Sequence, residues 1–358
     1  MMLNFAVGPV MMDQEILKIG AEQVPYFRTE EFSKLMLENE HFLKKIAHAT
    51  DPARVIFLTA SGTAAMEAAV MNLFNNNDKL LIINGGSFGK RFTEICSLYE
   101  LNFQEIYLNY GEQLMEKHLA PYENKGFTGF LINVHETSTG ILYNMELVKD
   151  FCRKNHLFLL VDAIGSFLAD RYDIREYGVN ATILSSQKAI ALPPGMSFVI
   201  VDDKAQERIA NNHIRSLYFN FKNYLVDGIR GQTPYTPAVS TLLQLRKRLQ
   251  SIDEKGVENV INHVALIAKD FRKKILGLPL EIASASLSNT LTPLRPRGKM
   301  AADEIFKYLK DHQDIFVCPN GGNLSRELFR VGHIGALTVC DNSTLVNALT
   351  EMNERGIL

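Results

Sequence analysis

The feature that most constrains the fold is a recurring alternation of short apolar runs with helix-like segments. Nearly continuous apolar runs stand at 55–59, 79–83, 129–134, 157–161, 181–185 and 196–201. Helical periodicity follows several of them, as at 64–74, 89–100 and 144–155. Strands that are apolar throughout and alternate with helices are typical of a largely parallel sheet covered on both faces. The sequence therefore predicts an α/β fold built on such a sheet.

The texture of the sequence changes after about residue 240. Two long helical patterns, 241–250 and 257–276, lead into a short alternation of strands and helices that continues to the last helical pattern, at 342–355. This part is expected to form a smaller α+β domain. A cleft between the two parts would be the natural substrate pocket.

Composition narrows the classes of partner. The formal net charge of −2 lacks the basic excess on which nucleic-acid and anionic-membrane binding depends, so we expect a small-molecule substrate, no nucleic acid and no membrane. The four cysteines are far apart, with no C-x-x-C pair and no His cluster at metal-ligand spacing. We expect no metal site, no disulfide framework and a cytoplasmic location.

Two opposite charges are expected at one sheet edge. Lys188 follows a predicted buried strand, and the segment Pro193-Pro194-Gly195 ends the stretch that contains it. Asp162 ends the strand before that one. A desolvated lysine favours its neutral amine, which can form a Schiff base with an aldehyde. A pyridine-ring cofactor would need this lysine and a carboxylate beside its ring nitrogen. Taken singly, the lysine could be a solvated loop residue and the aspartate a helix N-cap.

Two further loops have ligand-binding patterns. Ser61-Gly62-Thr63 opens a helix after a strand, where free N–H groups and hydroxyls suit a phosphate, although an ordinary capped helix start looks the same. The turn around Phe88, flanked by Gly86 and Gly89, is not a P-loop, because Arg91 follows Lys90. It could expose an aromatic ring to a flat cofactor or bury it in the core.

A polar turn and an arginine complete the set of candidates. Thr137 lies in the turn 135–140 just past a strand, where its hydroxyl could reach a cofactor or simply solvate the turn. Arg330 stands inside an apolar strand pattern, where a guanidinium needs an anionic partner. That partner could be a substrate carboxylate or an internal salt bridge.

Taken together, these motifs resemble the class V aminotransferases, fold type I enzymes that use pyridoxal 5′-phosphate. The resemblance is closest to the branch with alanine-glyoxylate, serine-pyruvate and 2-aminoethylphosphonate-pyruvate aminotransferases. The matching motifs run in order along nearly the whole chain: 61–63, 86–91, 135–140, 161–163, 185–189 with 193–195, 233–237 and 329–333. The resemblance implies a large domain over 16–245, with a mainly parallel seven-stranded sheet between helices, and a small α+β domain from 1–15 and 246–358.

The resemblance also implies roles for residues around the cofactor ring. Lys188 would form the Schiff base and carry the proton between Cα and C4′, with Asp162 on the pyridinium nitrogen. Gln187 would bond the ring hydroxyl. Phe88 would stack on the ring, where many relatives have Tyr or Trp. Thr137 would lie beside the cofactor.

Phosphate and substrate contacts are implied in the same way. Ser61, Gly62 and Thr63 would hold the phosphate, and Thr236 with Thr233 of a neighbouring subunit would complete that site, which implies a homodimer with shared active sites. Arg330 would clamp the substrate carboxylate, and Gly8 and Pro9 would line the pocket mouth.

The implied function is a transaminase acting on a small amino donor and a 2-oxo acid. Alanine, serine or 2-aminoethylphosphonate would give the amino group to pyruvate or glyoxylate. The alternative on the same scaffold is a lyase or a cysteine desulfurase, but neither Cys318 nor Cys340 has a sequence context that stabilises a thiolate. A non-catalytic protein that kept the fold is the other alternative.

Overall fold

The computed structural model describes residues 2–358. They form fourteen strands: β1 (Leu3–Phe5), β2 (Arg54–Leu58), β3 (Lys79–Asn84), β4 (Asn102–Tyr107), β5 (Gly129–Asn133), β6 (His135–Glu136), β7 (Ile141–Leu142), β8 (Phe158–Asp162), β9 (Ala181–Ser185), β10 (Ser197–Val201), β11 (Leu280–Ile282), β12 (Leu291–Pro296), β13 (Ile315–Pro319) and β14 (Phe329–Gly332).

The same residues form thirteen α-helices: α1 (Gln14–Gly20), α2 (Glu30–Ile46), α3 (Gly62–Leu73), α4 (Ser87–Leu98), α5 (Glu116–Leu119), α6 (Met145–Lys154), α7 (Ile174–Tyr177), α8 (Asp203–Asn211), α9 (Phe221–Gly228), α10 (Val239–Lys255), α11 (Val257–Lys274), α12 (Ala302–Gln313) and α13 (Val339–Glu354). Single 3₁₀ turns stand at Ala120–Tyr122 and Gly322–Leu324.

The larger sheet has seven strands in the order β2-β10-β9-β8-β5-β3-β4. Only β10 runs against its neighbours, and all other pairs within it are parallel. The expected α/β fold with a mainly parallel seven-stranded sheet is therefore confirmed. Because the parallel strands point the same way, their carboxyl ends share one edge of the sheet, where ligands bind in such folds.

Two apolar layers cover this sheet, one on each face. Successive residues of β3 belong to opposite layers: Leu81 and Ile83 pack with α2, α6 and α10, whereas Leu80 and Ile82 pack with α3 and α4. This is the period of two expected of a strand that is buried on both faces. Charged side chains therefore stand at the ends of the strands that are buried on both faces, as Lys79 and Asp162 do.

The smaller sheet has five strands in the order β1-β13-β14-β12-β11. Its first strand comes from the N-terminus and runs parallel to β13, while the other pairs are antiparallel. Its apolar face packs with α11, α12 and α13 around Phe271 and Phe329. The domain bounds 16–245 and 246–358 stay a prediction.

Several elements were not predicted from the sequence. The edge strand β4 buries only Ile106 and alternates irregularly, so it lacks the continuous apolar run that identified the other strands. The short helices α5 and α7 have four residues each and show too little periodicity to be recognised. The hairpin β6–β7 has two residues per strand, and it lies just past the carboxyl end of β5.

Candidate active site

Lys188 stands on a loop that its neighbours hold closed. It comes three residues after β9. The Ser186 hydroxyl donates to the Pro193 carbonyl at 2.6 Å, and the Ser186 N–H donates to the Met196 carbonyl at 3.0 Å, so these two bonds close the loop around Lys188. Gly8 approaches it so closely that a Cβ on the glycine would lie 2.8 Å from Lys188 Cδ. The lysine is half-buried, so the reading of it as a solvated loop residue is wrong.

The surroundings of Lys188 favour its neutral form. Loss of hydration lowers the pKa of its amine to about 8, and the nearby Arg330 guanidinium acts in the same direction. Cys318 and Asp162 act in the opposite direction but do not restore the ordinary value. A lone pair is therefore available on Nζ at a pH where most lysines are almost wholly protonated.

Asp162 ends β8 at the same edge. It pairs in register with Asn133 of β5 and Ile183 of β9, and it is only 4% exposed. Its Oδ1 accepts from the Ile164 N–H at 2.9 Å, a local turn contact, and the next helix is α7, which begins at Ile174. The reading of Asp162 as a helix N-cap is therefore wrong.

The charge on Asp162 is finely balanced. Burial, with a smaller contribution from the neighbouring Glu136 carboxylate, raises the pKa of its carboxyl to about 6. The Ile164 N–H, Lys188 and Arg91 lower it. A cationic ring nitrogen placed beside this carboxylate would compensate the burial and keep it ionised.

The loop Ser61-Gly62-Thr63 forms the N-terminus of α3. Ser61 caps the helix, its hydroxyl accepting from Ala64 N at 3.3 Å, so both the capping and the ligand readings of this loop remain open. A Cβ on Gly62 would lie 2.5 Å from Ile164 Cδ1, which shows how closely the helix start approaches the chain after Asp162. The positive helix end and exposed hydroxyls suit an anion here.

Phe88 lies in the first turn of α4 and is half-buried at the pocket rather than in the core. The Arg91 guanidinium lies 5.0 Å from the centre of its ring. Arg91 also donates from Nη1 to Thr63 Oγ1 at 3.1 Å, so it connects the aromatic ring to the candidate phosphate loop.

Arg330, in β14, is held by backbone carbonyls. It is 9% exposed, and it donates from Nη1 to Thr137 O at 3.0 Å and from Nη2 to Pro319 O at 2.6 Å. Its Nε is buried without a partner, and no salt bridge of the described residues includes it. The internal salt bridge considered from the sequence is therefore absent from the described part of the chain, and the guanidinium keeps free donors for an anion.

The remaining candidates occupy varied places. Thr137 is buried, and its backbone supports Arg330. Gln187 is half-buried, and its amide oxygen accepts from the Ser185 hydroxyl. Pro9 follows Gly8, and its carbonyl accepts from Asn4 Nδ2 at 3.1 Å.

The loop with Thr233 and Thr236 does not line the cavity that contains Phe88 and Arg330. The Thr233 hydroxyl is buried and donates to the Tyr235 carbonyl at 2.7 Å. Thr236 is exposed. Two residues later, Ala238 N donates to Thr59 Oγ1 at 3.0 Å, beside the start of the Ser61 loop.

Sequence reasoning assigned no role to Arg91 or Glu136. Arg91 has a usable signal, because residues three apart on a helix share a face and Phe88 lies three positions before it. Glu136 has none, because a polar turn looks solvated in sequence although the structure buries this carboxylate completely.

A cavity of about 810 Å³ opens at this edge. Its lining includes Phe88 of α4 and Ser138 of the β6–β7 turn, with Asn320 just after β13 and Arg330 of β14. Its size is in the range of small-molecule sites. The described residues hold no group of three or more His, Cys, Asp or Glu side chains placed to bind a metal ion.

Comparison with known families identifies the chain. The family described as "Aminotransferase class-V" matches residues 24–335. The chain belongs to the class V aminotransferases. As a member, it is a transaminase dependent on pyridoxal 5′-phosphate, which confirms the expectation from the motifs.

Curated relatives of this class V aminotransferase include proteins with different names. A "soluble hydrogenase, small subunit" of Synechococcus is 29% identical over 96% of this chain and 90% of its own length. An L-aspartate–glyoxylate aminotransferase of Paracoccus denitrificans is 24% identical over 93% and 86%. A serine–glyoxylate aminotransferase of Arabidopsis thaliana is 26% identical over 92% and 85%.

Solved structures share the fold. An aspartate aminotransferase of subgroup IV from Thermus thermophilus has a TM-score of 0.91 at 25% identity and covers 99% of both chains. An alanine–glyoxylate aminotransferase from Nostoc has a TM-score of 0.92 at 22% identity, over 98% of this chain and 95% of that one.

The residues present fit the cofactor of this class V aminotransferase. Three buried polar atoms without partners in the described chain, Asn133 Oδ1, His135 Nε2 and Arg330 Nε, belong to residues of this region. Unpaired buried polar groups are costly, and the unpaired Nε of Arg330 belongs to a residue that lines the cavity, where a polar ligand would satisfy it. The lowered pKa of the Lys188 amine suits an aldehyde, and the N-terminus of α3 could hold a phosphate.

No helix among residues 2–358 combines the length and the apolar character needed to cross a bilayer.

The lowered pKa of Lys188 gives a pH prediction. The rate at which the cofactor-free protein captures pyridoxal 5′-phosphate should rise with pH and level off above about 8, because only the neutral amine reacts. Stopped-flow absorption at a series of pH values measures this rate.

Two controls define the result. Lys188→Ala should show no such capture. With a free lysine derivative, the rate of capture should keep rising with pH up to the ordinary amine pKa of about 10.4. A protein profile that follows the free lysine would contradict the desolvated environment of Lys188.

Proposed function

We propose that this class V aminotransferase transfers the amino group of a small amino acid or aminophosphonate to a small 2-oxo acid. Alanine, serine, aspartate and 2-aminoethylphosphonate are the candidate donors, and pyruvate and glyoxylate the candidate acceptors. The observation that carries the proposal is the buried, unpaired Nε of Arg330, whose guanidinium lines the cavity and lies near enough to Lys188 for its charge to lower the pKa of that amine. The names of the relatives that include glyoxylate support the acceptor class.

Arg330 is the group we assign to the substrate carboxylate. A guanidinium has five N–H donors, and two of them go to the carbonyls of Thr137 and Pro319. Carbonyl oxygens fix the orientation of the guanidinium without cancelling its charge. The N–H of Nε and one remaining N–H on each Nη are left for contact with a carboxylate or a phosphonate.

Lys188 is the group we assign to proton transfer. When bound, pyridoxal 5′-phosphate supplies an electron sink that makes the substrate Cα–H acidic. The Nζ of Lys188, neutral above about pH 8, takes up the Cα proton. Gly8 limits the positions of the lysine side chain by direct contact.

The other residues are assigned to holding the cofactor. Asp162 would face the ring nitrogen and Gln187 the ring hydroxyl, with Phe88 on one face of the ring and Thr137 beside it. Ser61, Gly62 and Thr63 would bind the phosphate. Pro9 would line the pocket mouth with Gly8.

A cysteine desulfurase is the alternative on this scaffold, and the position of Cys318 argues against it. Such an enzyme needs a cysteine on a mobile loop, whereas Cys318 lies within β13 and pairs in register with Arg330. Cys340 is exposed on α13. Transamination is therefore favoured.

A homodimer with shared sites is the proposed assembly. Large apolar side chains are exposed at Val24, Tyr26, Leu217 and Ile229. A surface cavity of about 500 Å³ is lined by residues 24–27 and 236–241, and it includes Thr236. Apolar surface beside the threonine is what a partner subunit that receives its hydroxyl would cover. We also propose a cytoplasmic location, consistent with four free cysteines among the described residues.

The proposed donors can be tested by absorption. We expect one donor among alanine, serine, aspartate and 2-aminoethylphosphonate to bleach the visible band of the bound cofactor, and pyruvate or glyoxylate to restore it. The spectrum of the loaded protein is recorded after each addition. A band that no donor changes would overturn the proposed substrate class while leaving cofactor binding intact.

Arg330→Ala should lower kcat/KM for carboxylate donors by an amount that corresponds to about 1.5 to 3 kcal/mol. This is the typical contribution of a hydrogen bond to a charged group. The matched control is Arg326→Ala, which removes an arginine with a side chain 67% exposed. Steady-state kinetics with the identified donor measures both variants. Unchanged kcat and KM in Arg330→Ala would remove Arg330 from the substrate site.

The shared site predicts complementation between two inactive variants. Lys188→Ala lacks the amine, and Thr236→Asp places a carboxylate against the phosphate. Coexpressed, they should recover activity, because one site of the mixed dimer combines the intact Lys188 of one chain with the intact Thr236 of the other. Light scattering should give twice the monomer mass.

Two results would contradict the shared site. A monomeric mass would exclude the dimer. No recovery in a mixed dimer would show that Thr236 serves its own chain, near Thr59.

A further inference from the structure

Glu136 is a buried carboxylate surrounded by hydrogen-bond donors. It is fully buried in the hairpin strand β6. Its Oε2 accepts from Gly89 N at 2.9 Å, Phe88 N at 3.2 Å and Asn133 Nδ2 at 3.1 Å. Its Oε1 accepts from the backbone N and the hydroxyl of Ser138, at 3.2 and 2.5 Å. Both oxygens are thus occupied by N–H and O–H donors.

These contacts fasten the first turn of α4 to the hairpin. Ser138 Oγ accepts from Ser87 N at 3.1 Å, so three successive amides, those of Ser87, Phe88 and Gly89, are bound by Glu136 and Ser138. A Cβ on Gly86 would lie 2.5 Å from both Glu136 Cδ and Ser138 Oγ. The carboxylate also faces the positive end of the helix, which stabilises its negative charge.

The fastened turn carries two side chains that face the site. Phe88 lies at the pocket, and Arg91, stacked on its ring, reaches Thr63 of the candidate phosphate loop. A movement of this turn would displace the ring and the guanidinium together. The side chains of Phe88 and Arg91 make few contacts of their own. Their positions therefore depend mainly on the hydrogen bonds that Glu136 makes to the backbone of the turn.

We propose that Glu136 is a positioning residue for the cofactor: it holds the α4 turn so that Phe88 lies against the cofactor ring and Arg91 lies beside the phosphate. The inference rests on the proposed roles of Phe88 and of the 61–63 loop. In the proposed arrangement Glu136 itself touches neither cofactor nor substrate. Its charge also acts on Asp162, whose carboxyl pKa it raises.

The donor pattern makes Glu136→Gln a sharp test. Glutamine has the same shape but only one acceptor oxygen, and its NH₂ group would face an N–H group of Phe88, Gly89, Asn133 or Ser138. Two donors cannot bond to each other, so at least one buried N–H would lose its partner. The turn would then shift or loosen while the rest of the fold is preserved.

The measurement is binding of pyridoxamine 5′-phosphate to the cofactor-free protein by titration calorimetry. This probe has no aldehyde, so its affinity reports contacts rather than the bond to Lys188. Glu136→Gln should weaken its binding about tenfold or more, as expected for the loss of a hydrogen bond to a charged group. It should also reduce the circular dichroism of the bound ring, which depends on how the ring is held.

A double-mutant cycle shows whether Glu136 acts through Phe88. If it does, the double variant Phe88→Leu/Glu136→Gln should lower the affinity for the probe by a smaller factor than the product of the two single-variant factors. Independent, multiplicative effects would overturn the proposal. The matched control, Glu94→Gln, removes a carboxylate from the exposed side of α4, where it pairs with Lys90, and should leave affinity and dichroism unchanged.

Further outcomes separate the proposals. Glu136→Gln with unchanged affinity and dichroism would overturn the role of Glu136 but not the cofactor assignment, whereas a wild-type protein that binds no probe would overturn the assignment itself. If Glu136→Gln does not fold, Ser138→Ala replaces it, because it removes the hydroxyl bridge and leaves the carboxylate. It should weaken the probe less, and an unchanged affinity would contradict the proposal.

Discussion

The constraint on which the rest of the structure depends is that a parallel sheet buried on both faces can place charged groups only at the ends of its strands. Leu80 to Ile83 alternate between two apolar layers, so no polar side chain can stand mid-strand without losing its hydration. The strand ends carry Asn84, Asn133 and Asp162 instead. Because these strands run parallel, their carboxyl ends lie together, and the candidate site is at those ends.

Burial and charge then set the chemistry of the site. Loss of hydration lowers the pKa of Lys188 and raises that of Asp162, so each group is pushed towards neutrality. Their mutual attraction opposes this in both cases. The result is an amine that can react and a carboxylate that a neighbouring cation would keep ionised, which is the pair that a cationic ring with an aldehyde requires.

The two sheets meet at Arg330. The arginine belongs to the smaller sheet, yet one of its nitrogens donates to Thr137, which follows β6 near the end of the larger sheet. Asn320 makes a second such contact by donating to Ser138 O at 3.2 Å. Glu136, which immediately precedes those two partners in the chain, binds the α4 turn. A single polar turn therefore connects Arg330, the α4 turn that carries Phe88, and the smaller sheet.

The sequence by itself determined the α/β class, most of the strands and the residues of the site edge. It could do so because apolar runs, helical periods and polar strand ends are local patterns. Only the tertiary structure showed that 102–107 forms the edge strand β4, because its irregular pattern of exposure is not recognisable as a strand from the sequence. It also decided between alternatives for Asp162, Phe88 and Arg330, because burial and partners depend on distant segments. Glu136 is the clearest case: sequence shows a polar turn, whereas packing of α4 against the hairpin removes its carboxylate from water and makes it an anchor.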